Sequence, residues 1–135
     1  MLHSTGTKND LATTLAGEFN LGHLRIFTAT APASADNAEA GTLLVDVTYP
    51  NPAYGAASGG VVTQAGTPLT GSIVATGAAA YCRQVSSTDG GGSSTTDKRL
   101  QGTVATSAAE CIVNTTSFVS GGTFTLNSGS YTAPS

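Results

Sequence analysis

Tryptophan is absent from this sequence of 135 residues, methionine occurs once, and cysteine and histidine occur twice each. Charged residues make up 10% of the chain, against about 25% in ordinary soluble proteins. These shortages exclude several classes of function. The 5 basic and 8 acidic residues are scattered and sum to a formal net charge of -3. No basic patch is available to neutralise phosphates, so neither nucleic acid nor an anionic membrane is an expected partner. No apolar run approaches the roughly 18 residues of a membrane span, and Met1 to Lys8 lack the apolar stretch of a secretory signal. Synthesis in the cytoplasm is the expectation.

Cys82 and Cys111 are too few for a disulfide framework and lack the Cys-x-x-Cys or Cys-x-x-His spacing of a zinc site. They read first as buried small hydrophobes, with a placement close enough to pair under oxidation as the alternative. With no Trp, and only Tyr49, Tyr54, Tyr81 and Tyr131, a flat platform for stacking sugars is poorly supplied. Catalytic parts are equally scarce. His3 lies near the start and His23 directly precedes a strand pattern, neither with an evident partner. Ser and Thr abound, yet no Gly-x-Ser-x-Gly elbow occurs. Asp36, Glu39 and Asp46 lack the dense acidic spacing of a Ca²⁺ loop and read as a turn followed by a solvated strand face. No cofactor, no metal and no enzymatic activity are expected.

What is present is glycine, at 17 residues, hydroxyl side chains, and 39% apolar residues, enough for the core of one domain. Leu11, Ala12, Leu15, Ala16 and Phe19 fall on one stripe of a 3.6-residue period and predict a helix over 10–19, behind a tail of residues 1–9. Asn9 or Asp10 would cap it and Asn20 to Gly22 would stop it. Three turns are marginal alone, so the stripe must lie on its own sheet or on a neighbouring subunit.

After Gly22 the period becomes two. Leu24, Ile26 and Thr28 alternate with Arg25 and Phe27, and Leu43, Val45 and Val47 alternate with Thr42, Leu44, Asp46 and Thr48. Further strand patterns cover 60–64, 71–76, 79–85, 99–106, 110–113, 116–119 and 123–127, with an edge strand at 130–132. Turn clusters separate them, including Tyr49-Pro50-Asn51-Pro52, Thr67-Pro68 and Gly121-Gly122. Asn114-Thr115-Thr116 is read as a turn. Eight or nine short strands at such spacing predict a mainly β domain over 10–135, an antiparallel β-sandwich of jelly-roll or immunoglobulin-like kind with one short N-terminal helix.

The Gly/Ser/Thr run from Ser86 to Asp97 reads as a flexible hairpin tip over 86–97; it lacks the Gly-Lys-Ser/Thr ending of a phosphate loop. Arg25 and Arg83 are expected on the solvated face, with an ion pair between subunits as the alternative. Tyr49 and Tyr54 flank a Pro-Asn-Pro-Ala turn and suit either a partner contact or a plug at one end of the sandwich.

The order of segments then resembles a known group. His23-Leu24-Arg25-Ile26-Phe27-Thr28-Ala29-Thr30-Ala31-Pro32-Ala33-Ser34-Ala35-Asp36, followed by Gly41-Thr42-Leu43-Leu44, is similar to the "LRIYTGTxPAxAD…GTLL" signature of small structural proteins of tailed-bacteriophage virions. The likeness continues through Asn51 to Gly60, Tyr81-Cys82-Arg83, Gln101 to Val104, Asn114-Thr115-Thr116 and Val119 to Gly122, and so spans Leu11 to the C-terminus. It implies a non-enzymatic part of the particle, made in the host cytoplasm and ending in the virion. Two departures stand out: the hairpin after Arg83 is lengthened by the Gly/Ser run, and cysteines replace the usual apolar residues at 82 and 111.

Within that resemblance the leading expectation is a capsid decoration, or cement, protein that binds the outer face of the head and holds capsomer junctions together. Its partners would be the major capsid protein and further copies of itself, as a homodimer or homotrimer. Leu11, Leu15, Phe19, Arg25, Phe27, Tyr49 and Tyr54 are the partner-contact candidates. A neck, tail or baseplate protein is the alternative, and a virion-displayed glycan- or receptor-binding module the second.

Overall fold

The computed structural model describes residues 1–135. Its first element, α1 (Thr5–Gly17), begins five residues earlier than the apolar stripe predicts. The reason is the cap. Ser4 takes an extended backbone conformation and its Oγ accepts the Thr7 N–H at 3.2 Å, so the helix starts where a hydroxyl satisfies its free amides. Most of the predicted tail is therefore helix. Asn9, expected as a cap, is a tether instead: its Oδ1 accepts the Gly60 N–H at 2.8 Å. The buried residues of α1 are Ala12 and Ala16, small side chains one turn apart that let the helix backbone approach the sheet closely. Leu15 is half-buried and Leu11 points outward.

The eleven strands are β1 (His23–Phe27), β2 (Leu43–Thr48), β3 (Val61–Thr63), β4 (Leu69–Ser72), β5 (Gly77–Ala78), β6 (Tyr81–Val85), β7 (Arg99–Gly102), β8 (Val104–Ala105), β9 (Cys111–Val113), β10 (Ser117–Phe118) and β11 (Thr123–Thr132). They form a β-sandwich. One sheet has the order β2-β1-β6-β7, all antiparallel. The other has the order β3-β11-β9-β8 with β4 also on β11, and β5 and β10 make a separate two-stranded ribbon. The expected antiparallel pairing has one exception, since β8 and β9 run parallel. The two predicted segments at 123–127 and 130–132 are one strand of 10 residues, whose irregular pairing with β9 between Leu126 and Ser128 breaks the alternation without ending the strand.

The inner faces make the core. Val45 and Val47 lie opposite Ile26 and Leu24, and this layer packs with Phe124, Leu126, Val113 and Cys111 of the second sheet in one hydrophobic cluster. Phe118 and Phe124 meet edge to face at 5.8 Å. The sheets approach so closely at β4 that a Cβ on Gly71 would stand 2.8 Å from a methyl of Val47.

The outer face of the first sheet is covered too. All five residues of β6 are buried, because the segments 28–42 and 86–98 fold across the face that alternation assigns to solvent. The run 86–97 is therefore no free hairpin tip; Asp89 and Gly91 within it are buried. Phe27 and Tyr81 stack beneath this cover with ring centroids 5.1 Å apart, and the Tyr81 hydroxyl donates to the Ala40 carbonyl and accepts the Ala40 N–H, both at 2.9 Å.

Phe19 follows the helix and is fully buried. The chain then turns through Leu21, at φ 57°, and passes at Gly22 so near its neighbours that a Cβ would lie 2.3 Å from the Val85 carbonyl oxygen. Both obstacles there are backbone. Gly22→Ala is expected to cost at least about 2 kcal/mol in urea unfolding, whereas Gly17→Ala, which meets nothing within 4 Å, should stay within about 1 kcal/mol of the parent.

Candidate functional site

Charge in this molecule is concentrated where the covering segments meet the sheet. Register places Asp46, Arg25, Arg83 and Gln101 side by side across β2, β1, β6 and β7. Arg99 stands two residues before Gln101 on the same face. Together these side chains fasten both loops.

Arg99 is the centre. Its guanidinium binds Asp89 twice, Nε to Oδ2 at 2.5 Å and Nη2 to Oδ1 at 2.7 Å, with side-chain exposures of 2% and 0%. The same group donates to the carbonyls of Gly92 at 2.6 Å and Ala35 at 3.2 Å, so one cation ties the two segments to each other. Arg25 reaches Glu39 at 2.8 Å, Asp46 at 3.1 Å and the Asp89 carbonyl at 3.0 Å. Arg83 is fully buried and donates to the Asn37 carbonyl at 2.8 Å and to Gln101 Oε1 at 2.5 Å. Gln101 in turn donates to the Pro32 carbonyl at 2.7 Å.

Backbone pairs complete the layer. Glu39 N–H donates to the Gly91 carbonyl at 3.0 Å and Ser94 N–H to the Asp36 carbonyl at 2.9 Å. Gly91 adopts φ +86°, and its N–H donates to Asp89 Oδ1 at 2.8 Å. Burial by itself raises the Asp89 pKa. The hydrogen bonds from Arg99 and the Gly91 amide, with the charges of Arg99 and Arg25, outweigh it and hold the carboxyl below its usual range.

The seven partner-contact candidates separate on this evidence. Phe19, Phe27, Tyr49 and Tyr54 are buried within the chain, at 0%, 3%, 1% and 5% exposure, and are corrected to core. Tyr49 and Tyr54 face each other at 6.3 Å, with the Tyr54 hydroxyl donating to Gln84 Oε1, so they plug the sandwich. Arg25 serves the loop clasp, and Arg83 is not on a solvated face. Leu15 is partly buried against the core. Only Leu11, at 42%, is exposed, alongside Met1, Leu2, Leu21, Val74 and Val119.

Sequence reasoning missed Asp89, Arg99, Asn37 and Gln101. A signal existed. Tyr81-Cys82-Arg83-Gln84-Val85 puts bulky residues on both faces, which a half-exposed strand does not require, and two of the five basic residues are Arg25 and Arg83 at paired positions.

A groove of about 600 Å³ opens between β7 and the end of β11, walled by Cys82, Leu100, Thr103, Glu110 and Tyr131. Glu110 accepts the Thr103 hydroxyl and, at 2.9 Å, the Thr103 N–H, and these bonds lower its pKa. No group of three or more His, Cys, Asp and Glu residues is arranged to hold a metal ion. Comparison with protein-family models, curated proteins and solved structures returned no match.

The clasp makes two predictions. Removing one partner of a buried ion pair strands the other, so Arg99→Ala or Asp89→Ala should destabilise by about 3 kcal/mol and open residues 86–98 to limited proteolysis. Because the folded pKa of Asp89 is lowered, its contribution is complete above the unfolded value of about 3.9 and is lost as pH falls through the folded value. Thermal unfolding followed from pH 7 downward should show stability declining below about pH 4, with a shallower decline in Asp89→Asn.

Proposed function

We propose that this chain is a bacteriophage virion structural protein that acts as a capsid decoration protein, seated on the outer face of the head across capsomer junctions. The observation that carries the reading is the position of the signature residues. The run His23 to Asp36 and Gly41 to Leu44 is β1, the first covering segment and the start of β2, and its Arg25, Thr28, Pro32 and Asp36 all take part in fastening that cover. The result is a preordered, weakly charged surface of Thr30, Ala31, Ala33, Ser34, Asn37 and Ala38, all exposed. A surface already fixed before docking loses little conformational entropy on binding.

The mechanism is linkage. A protein that binds only the assembled lattice stabilises it by about 2.7 kcal/mol per site at a hundredfold excess over Kd, repeated over every occupied junction. A standard interface takes about 800 Å² from each partner, roughly an eighth of this chain's 6539 Å². The exposed Leu11 and the apolar Met1 and Leu2 supply a second contact region, and a homodimer or homotrimer would add to the same multivalency.

Quantitative densitometry of purified particles tests the reading. A decoration protein is expected at hundreds of copies per head, comparable with the major capsid protein; a handful of copies would overturn it in favour of a neck, tail or baseplate part. The contact region has its own test. Leu11→Asp should leave unfolding free energy within about 0.5 kcal/mol of the parent while weakening particle binding tenfold or more, whereas Phe19→Asp should abolish folding.

A further inference from the structure

Cys82 and Cys111 come from different sheets, β6 and β9, and both are buried. Their Sγ atoms are 3.0 Å apart, about 1 Å more than a disulfide bond. The cross-strand partner of Cys82 on β7 is Gly102, and that of Cys111 on β11 is Gly129, so neither sulfur is crowded by a side chain on that flank. The sequence separation is 29 positions.

We propose that this pair is an oxidisable dithiol that closes to an intrachain disulfide, a covalent staple between the two sheets. The inference goes beyond the capsid reading and does not rest on it. Access is through the groove of about 600 Å³ that has Cys82 in its wall. The oxidant is a low-molecular-weight disulfide. One protein thiol, deprotonated, attacks a sulfur of the reagent, forming a mixed disulfide and expelling one reagent thiolate. The second cysteine then attacks the protein sulfur of that mixed disulfide and expels the other, so two protein thiols lose two protons and two electrons and two reagent thiols are released. The hydrogen bond with Cys111 and burial push the Cys82 thiol well above its ordinary pKa, so Cys82 stays a thiol until an oxidant enters the groove.

Incubation of the native protein with oxidised glutathione tests this. The expected product is a monomer on a non-reducing gel, with no titratable thiol and an intact mass lower by two hydrogen atoms. Its melting temperature should rise by about 10 °C, as a loop of this length constrains the unfolded chain, and dithiothreitol should reverse the rise. Cys111→Ala should instead retain a glutathione adduct on Cys82. The proposal is overturned if both thiols survive in the folded protein but react in urea, if the wild type stops at a mixed disulfide or forms a crosslinked dimer, or if closure leaves the melting temperature unchanged or lower.

Discussion

The arrangement of this molecule depends on the bidentate ion pair between Arg99 and Asp89. Both side chains are almost wholly removed from water, and desolvating two charges is costly unless every remaining donor finds an acceptor. Here they do: the Gly92, Ala35 and Asn37 carbonyls take the other guanidinium hydrogens, with Asp97 as a further acceptor at Nη2, and Gly91 donates to the carboxylate. Those extra partners are the two covering segments. Satisfying one buried cation therefore dictates the path of two segments that carry no Val, Leu, Ile, Met or aromatic side chain of their own, a case of polar burial specifying conformation.

Closing that outer face changes the logic of the sandwich. A sheet with one wet face needs only one apolar row per strand, but β6 buries Tyr81, Arg83 and Val85 on one side and Cys82 and Gln84 on the other. Without the cover, Phe27, Tyr81 and Val85 would form an exposed apolar patch beside an unshielded Arg83. With it, the exterior is a skin of Ala, Ser, Thr and Gly that offers no large apolar patch. The large apolar side chains that do remain exposed, Met1, Leu2, Leu11, Leu21, Val74 and Val119, lie outside the covering segments.

The strand patterns were legible because alternation at Leu24, Ile26, Val45 and Val47 reports the inner face directly, and the inner face is apolar whatever happens outside. The helix boundary was misplaced because apolar periodicity marks the buried stripe, while the start is decided by the Ser4 hydroxyl, seven residues upstream of Leu11, where the predicted stripe begins. Composition also misled at 86–97. Gly, Ser and Thr ordinarily signal a solvated loop, yet a single acid, Asp89, meeting Arg99 ten residues later, converts the run into structure. Such a pairing has no period and leaves no trace in a local window. Phe19, Tyr49 and Tyr54 were equally suited by type to core and to contact, and only the three-dimensional path of Leu21 and Gly22 decides between them.

The outer cover is a fixed part of the fold. Amide hydrogen exchange measures this residue by residue. If the clasp orders the loops as described, the amides of Glu39, Gly91 and Ser94, bonded to Gly91, Asp89 and Asp36, exchange at native pH with protection comparable to that of β1 and β6. Exchange of these three at the rate of an unstructured peptide, with β1 and β6 still protected, would contradict the account.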